Sequence, residues 1–413
     1  MTALAVGGAW HAAQVPRPET RPATRHVSDA ERRARLVTRH RLTPQTRTDD
    51  VVTITDDLVA LHSTDPVTVY LSAAARMAAP ALAPVSDALY QTRRLLRHHA
   101  MRRTLWVFGH EHARLAHHAA TVDVAAVQHR NLMGYLAAAG VADPPAWYAD
   151  AAAQVLGVLS AGGPRTAREV GAALPGIAGL ELPIQGGSFP AHSRVLLVLG
   201  FEGRVLRARP TGTWINGQYR WSAADDWVPG GIGAPLERRP AAAGLARAYL
   251  RTFGPATRDD LKWWAGWTVA TTMAALADVE AVEVSLDGGG TGFLLPDDLD
   301  PVPDPGPSVA LLPGLDPTTM GWKARGHHLA PDDAPRLFDR NGNGGPAIWV
   351  NGRIAGTWVQ RKDGAIATRL FTDVGRAARA AIEEAAARHH ALLGDVRFNV
   401  RYPAPVQREL LAG

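Results

Sequence analysis

Residues 162–174 read GGPRTAREVGAAL and residues 253–267 read FGPATRDDLKWWAGW. Both run Gly-Pro, one residue, Thr, and then an acid three positions further on: Thr166 with Glu169, and Thr257 with Asp260. A threonine followed at that spacing by a carboxylate is a capping box. Its hydroxyl and its partner's carboxylate each satisfy a backbone N–H at the start of a helix. An apolar helical stretch precedes each copy, WYADAAAQVLGVLS at 147–160 and AAAGLARAYLRTF at 241–253. A second helical stretch follows each copy, and then alternating strands: RVLLVLGFEGRVLRARPTGTWINGQYRWS in one and VEAVEVSLDGGGTGFLLP in the other. Helix, short helix, helix, hairpin is the winged helix-turn-helix order. The copies lie about 90 residues apart, a plausible module length.

From this repeat the organisation extends in both directions. Residues 1–27 are rich in Pro, Ala and Thr and read as a disordered extension, or as a start assigned too far upstream. Order begins at SDAERRARLVTRHRL (28–42), where Ser28 and Glu31 form another capping box. Helices are expected near 51–61, 66–78 and 86–99, and a strand in MRRTLWVF (101–108). The first third then reads as a divergent third copy with its wing at 101–108. Residues 297–307, DDLDPVPDPGP, cannot sustain a helix and read as a linker. Beyond it lie strands with an Asn351-Gly352 hairpin turn, and an amphipathic helix over 374–393 whose twin His389 and His390 sit where positive charge is favoured. The expected class is α+β: three tandem winged-helix modules at 28–140, 141–236 and 237–300, then a C-terminal β-rich region at 308–413.

The 413 residues are 46% hydrophobic and 20% charged, as in a soluble globular protein, and include no cysteine, which excludes disulfides and thiolate metal sites and suits a reducing cytoplasm. No apolar run approaches the ~18 residues of a membrane span, and the start lacks the basic and apolar regions of a signal peptide. Net charge is +5, with arginines crowded at 31–47 and 91–103. Such stretches point to an anionic partner, most commonly nucleic acid, or to a solvated helix face.

Few constellations carry chemistry. The His pairs at 98–99, 117–118, 327–328 and 389–390 read as surface histidines: HEHARLAHH (110–118) is not H-E-x-x-H, and no metal is expected. DGGGTG (287–292) and NGNGG (341–345) read as turns, since neither has the strand-to-helix context of a phosphate cradle. The twelve tryptophans are mostly core, with Trp358, beside Arg361 and Lys362, a candidate for a nucleic-acid backbone. The remaining stretch is ALHSTDPVTVYLSAAAR (60–76). Asp65 and Pro66 fit the cap and first position of a helix. His62 and Thr64 are left to be either solvated neighbours or part of an active site.

LHSTDPVTVYLSAAAR, MRRTLWV, YLRTFGPATRDDLKWWAG, LLPGLDPTTMGWKAR and VNGRIAGTW, in that order, resemble the winged-helix DNA-binding family that contains the AlkZ/YcaQ-type DNA glycosylases. The resemblance spans nearly the whole chain from residue 28. It implies tandem winged helices, typically three, around duplex DNA, and excision of alkylated purines, bulky adducts or crosslinks without metal or cofactor. In that family a Gln-x-Gln or Gln-x-Asp motif before the Asp-Pro helix start serves the chemistry. Here His62 and Thr64 occupy the matching positions. On this reading a neutral His62 accepts a proton from water because its ordinary pKa lies near working pH, Thr64 holds the water, and Asp65 orients the imidazole or favours the sugar cation. Arg93, Arg97, Arg102, Arg103, Arg325 and Arg361, with Trp358 and Lys362, meet the DNA backbone. The expected partner is double-stranded DNA, bound by a cytoplasmic monomer. A non-catalytic DNA-binding protein or transcription regulator is the alternative.

Overall fold

The computed structural model describes residues 25–412. The expected extension lies outside them up to residue 24, but order begins earlier than Ser28. Strand β1 (His26–Val27) pairs parallel with β9 (Val282–Leu286), which pairs antiparallel with β10 (Thr291–Leu294).

Both capping boxes form. Thr166 caps helix Ala167–Ala173, and Thr257 caps helix Arg258–Ala265. Helices Pro144–Gly162 and Arg238–Phe253 precede them, and helices Ala191–Phe201 and Val269–Asp278 follow. Each repeat closes on a hairpin. In the first it joins β7 (Val205–Pro210) to β8 (Tyr219–Ala223); in the second it is β9–β10. The residue between Pro and Thr bridges to the hairpin in both copies, Arg165 to Trp221 and Ala256 to Phe293. The Thr166 repeat also carries a small hairpin with no counterpart in the other, β5 (Glu181–Ile184) and β6 (Gly187–Pro190).

The first third departs from the expected pattern. Helices Val51–Asp57 and Pro66–Ala74 form, but the helix expected at 86–99 ends early, at Ala83–Tyr90. Residues Leu95–Ala100 are instead strand β3, paired with β4 (Thr104–Gly109), which also pairs with the two-residue β2 (Leu61–His62). Every residue of β3 is buried. A strand covered on both faces shows no alternation, which is why LLRHHA reads as helix in sequence.

At the C-terminal end, β11 (Val309–Leu312), β12 (Ala347–Val350), β13 (Arg353–Gln360) and β14 (Ile366–Leu370) form an antiparallel sheet. Asn351 and Gly352, with φ of 49° and 74°, make the expected tight turn between β12 and β13. Helix Gly375–Leu393 packs on this sheet.

Two cores result. The Thr166 repeat has its own, drawn from residues 132–223. The Thr257 repeat shares one with the first third and the C-terminal sheet, joining Leu61, Trp106, Tyr249, Trp264, Trp322 and Trp349. The segment expected to be a linker is pinned to this body, because Arg35 and Arg39 both bond the Asp298 carboxylate, at 2.9 and 2.6 Å.

Candidate active site

The β2–β4 pairing sets His62 opposite Trp106, with ring centroids 4.6 Å apart. Three residues on, Asp65 caps helix Pro66–Ala74 as expected, its Oδ1 accepting from the Val67 N–H at 3.2 Å. Side chains alternate along the short segment between. Ser63 turns to the interior, where its Oγ accepts from Arg97 Nε at 2.8 Å. Thr64 Oγ1 is buried and has no hydrogen-bond partner among the described residues.

His62 does not have the basicity expected of it. Burial, and next the positive charge of Arg102, pull its pKa down to about 3. Its Nδ1 accepts from the Thr64 N–H at 3.4 Å, which puts the proton on Nε2. The side chain is therefore a neutral donor through Nε2 and a poor base at neutral pH. Asp65 moves the other way: burial raises its pKa against the opposing effects of the cap and of Arg401. A cavity of about 20 Å³, the space of one water, is lined by Asp65, Leu315, Trp358, Phe398, Arg401 and Tyr402.

The expected DNA-contacting residues separate into two groups. Arg97 and Trp358 lie in the interior. Arg97 is 1% exposed and stacks on Tyr219, and Trp358 is fully buried, its indole N–H donating to the Leu312 carbonyl at 2.9 Å. Neither offers a surface to a phosphate, which corrects that reading. The others keep some exposure. Arg102 and Arg103 form the β3–β4 tip, where φ values of 55° and 61° hold two arginines in the conformation usually taken by Asn-Gly. Arg102 and Arg325 stack on Trp263, at 4.3 and 5.5 Å. Burial lowers the Arg325 pKa to about 10, leaving it charged at neutral pH. Arg93 stacks on Trp227 and donates to its carbonyl at 2.8 Å. Arg361 donates to the Leu410 carbonyl and Lys362 is exposed, both at the β13–β14 turn.

The histidine pairs also need correcting. His98, His99, His117, His327 and His328 are buried rather than on the surface. His98 and His117 hydrogen-bond each other at 3.2 Å. Burial holds His389 neutral, with a pKa of about 4, so it adds no charge at its helix end. Among the described residues no group of three His, Asp or Glu side chains is placed to hold a metal. The arginines at 32, 35 and 39 are neither a solvated face nor a ligand surface, since they are committed to Asp29, Glu31 and Asp298.

Sequence reasoning missed Tyr219 and Arg401. Tyr219 lies more than 150 residues from the motif, on strand β8, and its ring packs on Arg97, which in turn bonds Ser63. Nothing in its local pattern, a Tyr in an alternating strand, marks it as other than structural.

Comparison with known proteins agrees with this architecture. A family model described as "DNA glycosylase AlkZ-like" matches residues 55–392. The chain belongs to the AlkZ-like DNA glycosylase family. Among solved structures it is similar to the Streptomyces sahachiroi DNA glycosylase AlkZ, with a TM-score of 0.71 and 22% identity over 91% of this chain and 99% of that one. That likeness speaks for the fold. No curated protein matches. Among the described residues no helix is long and apolar enough to cross a membrane.

Proposed function

We propose that the chain is a monofunctional DNA glycosylase that hydrolyses the N-glycosidic bond of N7- or N3-alkylated purines in duplex DNA, acting as a monomer without metal or cofactor. The observation that carries this is the Asp65 carboxyl group. It is largely buried, its affinity for a proton is raised, and the helix cap occupies one oxygen while the other is left for chemistry.

Alkylation at N7 or N3 makes the base cationic, so it leaves as a neutral molecule. Water attacks C1′ of the sugar, the C1′–N bond breaks with its electron pair going to the base, and the water's proton passes to Asp65. The products are the free base and an abasic site. The roles of the motif shift accordingly. Asp65 is the general base and, as an anion, favours the oxocarbenium-like sugar. His62 is a neutral hydrogen-bond donor through Nε2. Thr64 Oγ1, otherwise unpartnered, takes the water or the substrate. Arg93, Arg102, Arg103, Arg325, Arg361 and Lys362 are the phosphate contacts, so affinity falls steeply with salt.

The test is excision from a duplex bearing one N7-methylguanine, read as strand cleavage after alkali. Asp65→Asn preserves the cap and is expected to lower the single-turnover rate by on the order of a hundredfold. His62→Ala is expected to lower it as well. A wild-type protein that cleaves neither this duplex nor one with a bulkier N7 adduct, while still binding both, is a DNA-binding protein whose motif merely begins a helix.

A further inference from the structure

The hairpin β7–β8 belongs to the Thr166 repeat, which has its own core, yet it reaches out of that repeat and against the site of the first third. Its tip is seated there: Trp214 packs on Tyr70 with centroids 4.8 Å apart, and Gly217 lies beside Pro66 and Arg401. Strand β8 thereby delivers Tyr219. The Arg97 guanidinium covers the phenol ring at 4.3 Å from its centroid. Arg97 is held in turn by Ser63 Oγ at 2.8 Å and by the Tyr90 hydroxyl at 2.5 Å. The ring is thus fixed by a group that itself hangs on the His62–Asp65 segment.

Through Arg97 the Tyr219 ring is packed against the Ser63 side of the His62–Asp65 segment. Ser63 is a near neighbour but misses hydrogen-bond geometry, and the hydroxyl, although buried, has no partner among the described residues. Buried tyrosine hydroxyls are ordinarily paired. A lone buried donor on a ring packed against the segment whose cap carboxylate keeps one oxygen uncommitted is the arrangement expected where the missing partner takes part in the reaction. Packing alone does not account for it, because a phenylalanine would fill the same space over Arg97 without burying an unpaired hydroxyl.

We infer that Tyr219 is a positioning residue of this site, its hydroxyl donating to the water that Asp65 activates. The inference rests on the glycosylase reading above. It makes the wing of one repeat part of the active site of another region, so that a water is held from two sides, by the carboxylate of the helix cap and by the phenol of the wing.

The experiment compares wild type, Asp65→Asn and Tyr219→Phe on the N7-methylguanine duplex, with single-turnover rate at saturating protein, duplex affinity and thermal midpoint measured for each. Tyr219→Phe keeps the ring on Arg97. It is expected to lower the rate by roughly tenfold to a hundredfold with affinity and midpoint unchanged. A Tyr219→Phe rate equal to wild type, with Asp65→Asn impaired, overturns the inference and leaves the glycosylase reading standing. A rate loss that only follows weakened duplex binding or a lowered midpoint also overturns it, since a structural wing contact predicts that. A wild type that excises nothing brings down the glycosylase reading and this inference with it.

Discussion

The capping boxes at Thr166 and Thr257 are one local device in two settings. In the first, the Glu169 carboxylate takes the Thr166 N–H and hydroxyl at 2.7 and 2.9 Å and otherwise faces solvent. In the second, Asp260 is fully buried. One oxygen takes the Thr257 N–H and hydroxyl at 3.0 and 2.8 Å, and the other takes the N–H groups of Lys323 and Ala324, both at 2.8 Å. The same acid that only starts a helix in one repeat ties the other to the C-terminal region. The cores follow this difference, one formed within the Thr166 repeat and one shared among the first third, the Thr257 repeat and the C-terminal sheet. A repeated motif specifies its own helix start. What else it does depends on what folds against it.

Acid should separate the two cores most strongly. The shared core holds His40 and His62, with pKa lowered to about 3, and His117, lowered to about 4, in each case chiefly by burial. A histidine whose folded pKa is depressed contributes its full stability above the unfolded value, near 6.5, and loses it as pH falls toward the folded value. At pH 5 each of the three costs about 2 kcal/mol, together comparable to the whole stability of a domain. The Thr166 repeat contains a single histidine, His192, whose pKa burial also lowers. Limited proteolysis at pH 5, mapped by mass spectrometry, is expected to cut within 28–116 and 238–358 before 141–223. Simultaneous cutting of both regions would show that the cores do not unfold separately.

Asp260→Ala comes next. It leaves a cavity at a fully buried position and removes the acceptor of three N–H groups and a hydroxyl, and is expected to cost about 4 kcal/mol in urea unfolding. A loss under 1 kcal/mol would mean water replaces the carboxylate, and the contrast between the two boxes would fail. The threonines themselves should differ less. Thr257→Ala is expected to cost about 2 kcal/mol and Thr166→Ala about half that, both within the ordinary range of N-caps. Equal losses would indicate that only the acids, not the caps, distinguish the repeats. Glu169→Ala should have the smallest effect, a thermal midpoint within the scatter of wild type. The contribution of Glu169 is confined to pH above the unfolded carboxylate value and disappears as acid titrates the depressed folded value, whose causes are led by the Thr166 backbone hydrogen bond.

What the chain alone determined is everything set within a few residues. The caps at Ser28, Asp65, Thr166 and Thr257, the Asn351-Gly352 turn, the helix over 375–393 and the order of elements in both repeats are all legible, because a cap or turn is satisfied by its own neighbours. The same locality made the His62–Asp65 stretch conspicuous. Tertiary structure decided the rest. Burial on both faces turned 95–100 into a strand. It also took His62 out of contention as a base and raised the proton affinity of Asp65. Whether an arginine meets solvent or a carboxylate distant in sequence, as Arg35 and Arg39 meet Asp298, is written in no periodicity. Nor is the approach of Tyr219, through Arg97, to the His62–Asp65 segment across more than 150 residues. Desolvation and partner geometry exist only once distant segments have packed, and those two quantities set the protonation states of His62 and Asp65.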